Sequence, residues 1–258
     1  MTAGVGRREP NPSDFYPTPP SVGLALLEWW TQHKTAPPSV IDPCAGTGCL
    51  LAPWVGEAVV IGTEADAAIQ AVGTDAWPKV FGTDSPVKLG DGLLQLGMDL
   101  DIARDPAAWL EGYQGTQDRD RDRISWLYAV NPPFKDADLW VDRLVSITKT
   151  GGAAAAILLR SQWIDDGETK GRGIYRWELP PSAILRLPWR VSFDGEGKDS
   201  CTYAWHIWDP RSPVYAGSGT PTYWATRPTP TEKSKQLWDA AVAGATGGER
   251  LQLDLLRE

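Results

Sequence analysis

The tetrapeptide Asn131-Pro132-Pro133-Phe134 follows directly on the apolar run Trp126-Leu127-Tyr128-Ala129-Val130. An apolar run of about five residues that stops at such a turn reads as a buried parallel strand, which carries a side chain to its carboxyl end. Open α/β sheets bind their ligands at that end. Both prolines lack a backbone donor and hold φ fixed, so the turn is rigid and its carbonyls are expected to face outward as free acceptors. An Asn amide oxygen, a rigid carbonyl and an aromatic ring can together grip a planar ring that carries an exocyclic amine.

A second constellation lies earlier in the chain. Asp42-Pro43-x-x-Gly46-x-Gly48 comes directly after a short strand, where glycines let the backbone turn tightly and approach a ligand closely. The spacing lacks the third glycine of a dinucleotide loop and the Lys of a phosphate-binding loop. An acidic residue at its head suits an ammonium better than a pyrophosphate. Glu64 ends the next strand, about 20 residues on, where a carboxylate takes both hydroxyls of a ribose. Asp91 closes a weaker third strand region and is placed to accept from an adenine amino group. Helix capping is the plain alternative for each acid, and for Asp42 alone the two readings are even. The ordered set of three favours a ligand that presents an ammonium, a ribose diol and an aromatic amine, donors all.

These residues need a frame of strands and helices. Strands are expected at Ser39–Ile41, Ala58–Gly62, before Asp91, at Trp126–Val130, Ala153–Leu159, Ile184–Leu187 and Tyr203–Trp208. Ser21 is expected to cap a helix running to about Gln32, with Val22, Leu26 and Trp29 or Trp30 inward. A helix should follow the glycine turn. Another spans Ala137–Lys149, with Leu139, Trp140, Leu144 and Ile147 on one side, and a short one spans Glu232–Ala243. The β-α-β order with glycine turns points to a doubly wound α/β sheet. Residues 1–14 read as a flexible arm, 15–208 as the main domain, and 209–258 as an irregular carboxyl-terminal extension with a short helix. The alternating run Asp118 to Arg123 reads as a solvated loop.

Composition narrows the classes. The 258 residues are 42% hydrophobic, enough for one large α/β core. No apolar run approaches the ~18 residues of a membrane span, and the amino terminus carries no charged-then-apolar signal. A soluble, cytosolic protein is expected. Three cysteines without ligand spacing and two histidines argue against zinc and for a reducing compartment. A formal charge of −8 argues against a chain coated with DNA-binding surface, while leaving room for a local basic patch. Most of the 14 tryptophans should pack the core, with a few able to stack on bases.

The motifs in their order resemble those of S-adenosylmethionine-dependent DNA adenine-N6 methyltransferases, of the compact kind common in bacteriophages and prophages. Phe15-Tyr16-Pro17-Thr18-Pro19-Pro20 is similar to that family's opening motif, which wraps the methionine end of the cofactor. The Asp42 to Gly48 turn resembles its glycine motif and Asn131-Pro132-Pro133-Phe134 its catalytic motif. Arg190-Val-Ser-Phe193-Asp-Gly with Tyr203-Ala-Trp205-His-Ile-Trp208 resembles its last hairpin. The resemblance spans residues 15 to about 208. It implies a Rossmann-like class I methyltransferase fold, a doubly wound mixed seven-stranded sheet with an antiparallel last strand.

On that resemblance Phe15, Tyr16, Thr18, Asp42, Pro43, Gly46, Gly48, Glu64, Asp91 and Asn131 would hold S-adenosylmethionine. Asn131, Pro132, Pro133 and Phe134 would form the catalytic turn. The Asn131 side-chain oxygen and the Pro132 carbonyl would accept the two N–H groups of the adenine amine, exposing its lone pair to the sulfonium methyl, with no covalent nucleophile. Cys44 and Cys49 are read as structural. The base must be flipped out of the duplex. Phe134 would stack on it, with Phe193 on the other face or else packed against the sheet end. Arg160, Lys170, Arg172, Arg176 and Arg190 would meet DNA, and no metal is implied. A bacterial host cytoplasm is the expected location if the gene is phage-borne. The alternatives are an RNA or protein-glutamine methyltransferase of the same fold, and a non-catalytic methyltransferase-like binding module.

Overall fold

A computed structural model describes residues 16–35, 37, 39–92, 94, 96, 126–149, 153–165, 172–193, 200–212 and 219–255. The charge run at 118–123 and Phe15 lie outside the described residues. Helix α1 (Pro20–His33) leads into β1 (Ser39–Asp42), β2 (Val59–Glu64), α2 (Ala67–Phe81) and β3 (Val87–Leu89). Then come β4 (Trp126–Val130), α3 (Ala137–Thr148), β5 (Ala153–Arg160), the short α4 (Gly173–Trp177), β6 (Ala183–Arg186), β7 (Tyr203–Trp208), β8 (Thr222–Trp224) and α5 (Glu232–Leu255).

The strands form one eight-stranded sheet in the order β3-β2-β1-β4-β5-β7-β6-β8. Strands β1 to β5 run parallel, while β7 lies antiparallel between β5 and β6. This is the doubly wound, Rossmann-like mixed sheet expected, with the seventh strand in chain order reversed. It gains an eighth strand. Thr222–Trp224, in a Pro/Thr-rich stretch expected to be irregular, pairs parallel with β6 along the outer edge. The edge position explains why the composition hid it, since an edge strand tolerates neighbouring prolines that a central strand would not.

Packing follows the two-residue period of the strands. In β5, Ala154, Ala156 and Leu158 join one apolar cluster, with α1, while Ala153, Ala155, Ile157 and Leu159 join the other, with α3. Four successive alanines keep the sheet surface low, so helices approach it closely on both faces. Trp205, fully buried, donates from Nε1 to the Val22 carbonyl at 3.1 Å and ties α1 to β7.

Four local expectations are corrected. Ser21 does not cap α1: the helix starts at Pro20 with Pro19 before it and no side-chain cap, and Ser21 is buried in the first turn. A proline at the first helical position supplies the right φ and needs no donor. Leu139 is 45% exposed, because at ~100° per residue it falls away from the face made by Trp140, Val141, Leu144 and Ile147. After the glycine turn the chain forms only a 3-10 turn, Ala52–Trp54, because Pro53 lacks the donor an α-helix would need there. The final helix runs on to Leu255, beyond the expected Ala243. It buries Leu237 and Ala241, and Gly244 lets it lie against Val72 of α2, where a Cβ would come within 2.8 Å.

Among the described residues no helix is long and apolar enough to cross a membrane, and no group of three or more His, Cys, Asp or Glu side chains is placed to hold a metal ion. His206 of β7 is fully buried between aromatic rings, with Trp163 and Trp208 centroids at 6.1 and 6.4 Å. Burial lowers its pKa to about 4, against a smaller opposing effect of the Ala204 backbone and with help from Arg186. The folded value lies below the unfolded one, so its contribution to stability is full above pH 6.5 and is lost as pH falls towards 4. Replacing it with an apolar residue, His206→Leu, should therefore flatten the acid limb of the unfolding temperature between pH 7 and 4.5. An acid limb as steep as that of the wild type would contradict this.

Candidate active site

Strands β1 and β4 are neighbours, and the chain winds away from them in opposite directions. A crevice opens at their carboxyl ends. Asp42 is the last residue of β1, Glu64 the last of β2, Asp91 follows β3 and Asn131 follows β4. All four line one cleft of about 290 Å³, together with Tyr16, Thr18, Pro43, Gly46 and the Pro132-Pro133-Phe134 turn. Phe15 lies outside the described residues. Gly48 stands just behind the wall.

The glycine turn is forced by contacts as well as by conformation. Gly46 and Gly48 have φ of 56° and 88°, in the left-handed region. A Cβ on Gly48 would come within 2.9 Å of the Trp77 ring. Gly92 is held still more tightly: any Cβ would run into the Pro43 carbonyl, so the chain after β3 lies directly on the glycine turn.

The three acids differ in state. Asp42 is 2% exposed, and its Oδ1 accepts from the Cys44 N–H at 3.1 Å. Burial pushes its pKa up to about 8; the Cys44 hydrogen bonds oppose this, and the Glu64 charge adds to it. Glu64 bridges two loops, accepting from Gly46 N–H and Asp66 N–H at 2.8 Å each. Each oxygen keeps a lone pair for a further donor. Asp66, not Glu64, caps α2, through the N–H groups of Ala68 and Ile69 at 2.9 and 3.2 Å. Asp91 accepts from Leu94 N–H at 3.1 Å, a local turn bond that matches the capping alternative, yet its side chain still borders the cleft.

Asn131 has an unusual balance of partners. Its Nδ2 donates to the Tyr16 carbonyl at 3.3 Å and to Thr18 Oγ1 at 3.1 Å, while its Oδ1 is buried with no donor among the described residues. Its backbone carbonyl takes a weak S–H bond from Cys44 at 3.5 Å, which joins the two turns. The sequence offered no signal for that bond. The expectation that both proline carbonyls are free holds only in part. Asp136 N–H donates to the Pro133 carbonyl at 3.1 Å, closing a 3-10 turn, whereas no described backbone N–H donates to that of Pro132.

Beyond Phe134 lies a second cavity of about 440 Å³. It brings together Arg160, Arg172 and Arg190, three of the five cations expected at a substrate, along with Gln162 and Trp163. Phe134 lines both cavities. Arg160 sits 5.9 Å over the Phe134 ring. Arg172 is engaged by the protein itself: it stacks 4.7 Å over Trp163 and forms a two-pronged ion pair with Asp138 at 2.8 and 3.0 Å. Asp138 and Trp163 were missed in the sequence, although the Arg- and Trp-rich character of the stretch after β5 hinted at the latter. Lys170 lies outside the described residues, as does the side chain of Arg176, whose backbone is in α4.

Phe193 takes its packed alternative. It is 5% exposed and meets Phe134 edge-on, at 6.0 Å and 76°, and Tyr203 at 5.1 Å and 78°. A flat ligand between two rings needs them parallel, so Phe134 and Phe193 do not form a stacking slot here. Tyr16 lies nearer to parallel with Phe134, at 5.4 Å and 34°.

No family model matches the chain, and no curated protein matches it by sequence. Solved structures do resemble it. A protein from Vibrio vulnificus, described as the modification subunit of a type I restriction enzyme, is 16% identical over 88% of this chain, with a TM-score of 0.49; this chain spans 53% of that subunit's length. A protein from Pyrococcus horikoshii described as an RNA methyltransferase is 15% identical, at TM-score 0.42, covering 72% of this chain and 82% of its own. Human methyltransferase-like protein 13, in complex with SAH, is 11% identical, at TM-score 0.40, with coverages of 88% and 89%.

The buried Asp42 carboxyl makes a prediction with a definite sign. Its folded pKa is raised far above the ordinary 3.8, so its contribution to stability is full below that value and is lost as pH rises through about 8. Asp42→Asn should melt at a higher temperature than the wild type at pH 9, with the difference shrinking towards pH 5. Equal melting curves at pH 9 would show that the carboxyl is not desolvated.

Proposed function

We propose that this chain is an S-adenosylmethionine-dependent methyltransferase acting on N6 of adenine in DNA. The observation that carries the reading is the Asn131 Oδ1 atom. It is a buried amide oxygen with no donor among the described residues, in the turn it shares with Pro132, at the carboxyl end of β4 and in the wall of an acid-lined cleft. A buried acceptor left without a donor costs about 1–3 kcal/mol, and a ligand that brings N–H groups would recover it.

The residues of the cleft suit the cofactor. Asp42, buried and short of a counter-charge, matches an ammonium. Glu64, held rigid by two backbone donors, has lone pairs left for a ribose diol, and Asp91 lies at the far border for an adenine amine. The bound cofactor supplies an electrophilic methyl on a sulfonium. Asn131 Oδ1 and the Pro132 carbonyl take the two N–H groups of the substrate amine and draw its lone pair out of ring conjugation. The site contributes alignment and fixed dipoles, with no covalent bond to the protein. Phe134 stands where the two cavities meet and would lie against the base ring once the side chains around it adjust.

The DNA assignment rests on the second cavity and on the resemblance of the four motifs. Arg160 and Arg190 border that cavity with Gln162 and Trp163, so a base displaced from a duplex and its flanking phosphates would find stacking and cationic partners on one side of Phe134. Arg172 shapes the wall through Asp138 rather than offering an uncompensated charge.

Methyl transfer from labelled S-adenosylmethionine to unmethylated DNA, with the product nucleosides identified by mass spectrometry, tests the reading. N6-methyladenine is expected, and Asn131→Ala should lower its rate by about 10²–10³-fold, as loss of one aligned polar group in a dry site does. Transfer only to RNA or protein would replace the substrate. Absence of cofactor binding would leave the binding-module alternative.

A further inference from the structure

The Asn131 amide is useful only if its oxygen, and not its nitrogen, faces the cleft, and the two ends of a carboxamide are almost equal in size. The structure contains a device that settles the choice. The Tyr16 carbonyl can only accept, so the end of the amide that meets it at 3.3 Å must be the NH2 group. The second amide proton goes to Thr18 Oγ1 at 3.1 Å. Both protons are thus spent on the segment before α1, and the oxygen is left for the cleft. We propose that Thr18 is a positioning residue, whose hydroxyl holds the Asn131 amide with Oδ1 turned to the substrate amine; this rests on the methyl-transfer reading.

A hydroxyl has one proton to give and lone pairs to receive. Here Thr18 receives from Asn131, and among the described residues no acceptor takes its own proton, although the side chain is 6% exposed and borders the cleft. A carboxylate entering the cleft, such as that of an amino-acid moiety, would take that proton. Thr18 could then no longer donate to a flipped Asn131 oxygen. Filling the cofactor cleft therefore locks the amide in its productive orientation, and the amide of the empty protein is held mainly by Tyr16. Tyr16 acts through its backbone, so side-chain substitution cannot remove it, and Thr18 is the part of the device open to mutation.

The test compares Thr18→Val, which keeps the shape and deletes the hydroxyl, with Thr18→Ser, which keeps the hydroxyl. The expected result is a kcat, measured at saturating cofactor, lowered about tenfold in Thr18→Val, the worth of one oriented hydrogen bond, alongside a higher cofactor Kd from loss of the O–H donor. Thr18→Ser should recover most of the turnover. Independently of any substrate, the side-chain NH2 resonances of Asn131, assigned by their loss in Asn131→Ala, should show one proton moving upfield and exchanging faster in Thr18→Val but not in Thr18→Ser. The proposal is overturned by unchanged kcat at saturating cofactor or by unmoved Asn131 resonances. The resonance change in Thr18→Val, together with wild-type protein that methylates no DNA, supports the positioning role and places the failure with the substrate reading.

Discussion

Strand β1 lies beside β4, in parallel register from Ser39 against Trp126 to Ile41 against Tyr128, and the site depends on that pairing. The two strands are far apart in sequence; β1 ends on Asp42 and β4 one residue before Asn131, and both residues line the cleft. Because the pairing is parallel, both ends open on the same side. The turns that leave them meet through the Cys44 thiol and the Asn131 carbonyl. A slip of one residue in this register would turn every side chain of β4 to the opposite face and exchange its two packing layers. The apolar alternation of β4 and β5 between the two clusters is therefore what fixes the geometry of the cleft.

The polar groups around the cleft fall into two kinds. Arg172, Asp138 and Asp66 have their partners within the protein and serve its architecture. Asp42 and the Asn131 oxygen are less well matched: the first is desolvated with the Cys44 N–H as its partner, and the second has no donor among the described residues. Folding supplies the energy that keeps both in place, drawn from well-packed layers such as the tryptophan-rich face between α1 and β7. The Asn131 oxygen needs a donor and the Thr18 hydroxyl an acceptor, so the cleft is complementary to a molecule that offers both.

Much of this was readable in advance, for physical reasons that can be named. Central strands announce themselves as short apolar runs, and both turns at the cleft contain prolines or glycines whose backbone requirements are narrow. The acids at the ends of β1 and β2 followed from strand boundaries alone. What escaped was tertiary in origin. The role of Phe193 depends on Tyr203 and Phe134 arriving from other parts of the chain to bury it. The commitment of Arg172 depends on Asp138, which lies on α3, a different element. Ser21 looked like a cap by type, but a proline start removed the need for one. The edge strand β8 owes its existence to β6 rather than to its own composition.

Among the described residues Phe134 borders both spaces, of about 290 and 440 Å³. Its neighbours Tyr16, Phe193 and Tyr203 brace it by tilted and edge contacts rather than by a hydrogen bond, so its resistance to displacement comes from packing alone. A smaller residue there would widen the junction of the two spaces and loosen the packing of its three aromatic neighbours. One side chain thus ties the shape of one space to that of the other.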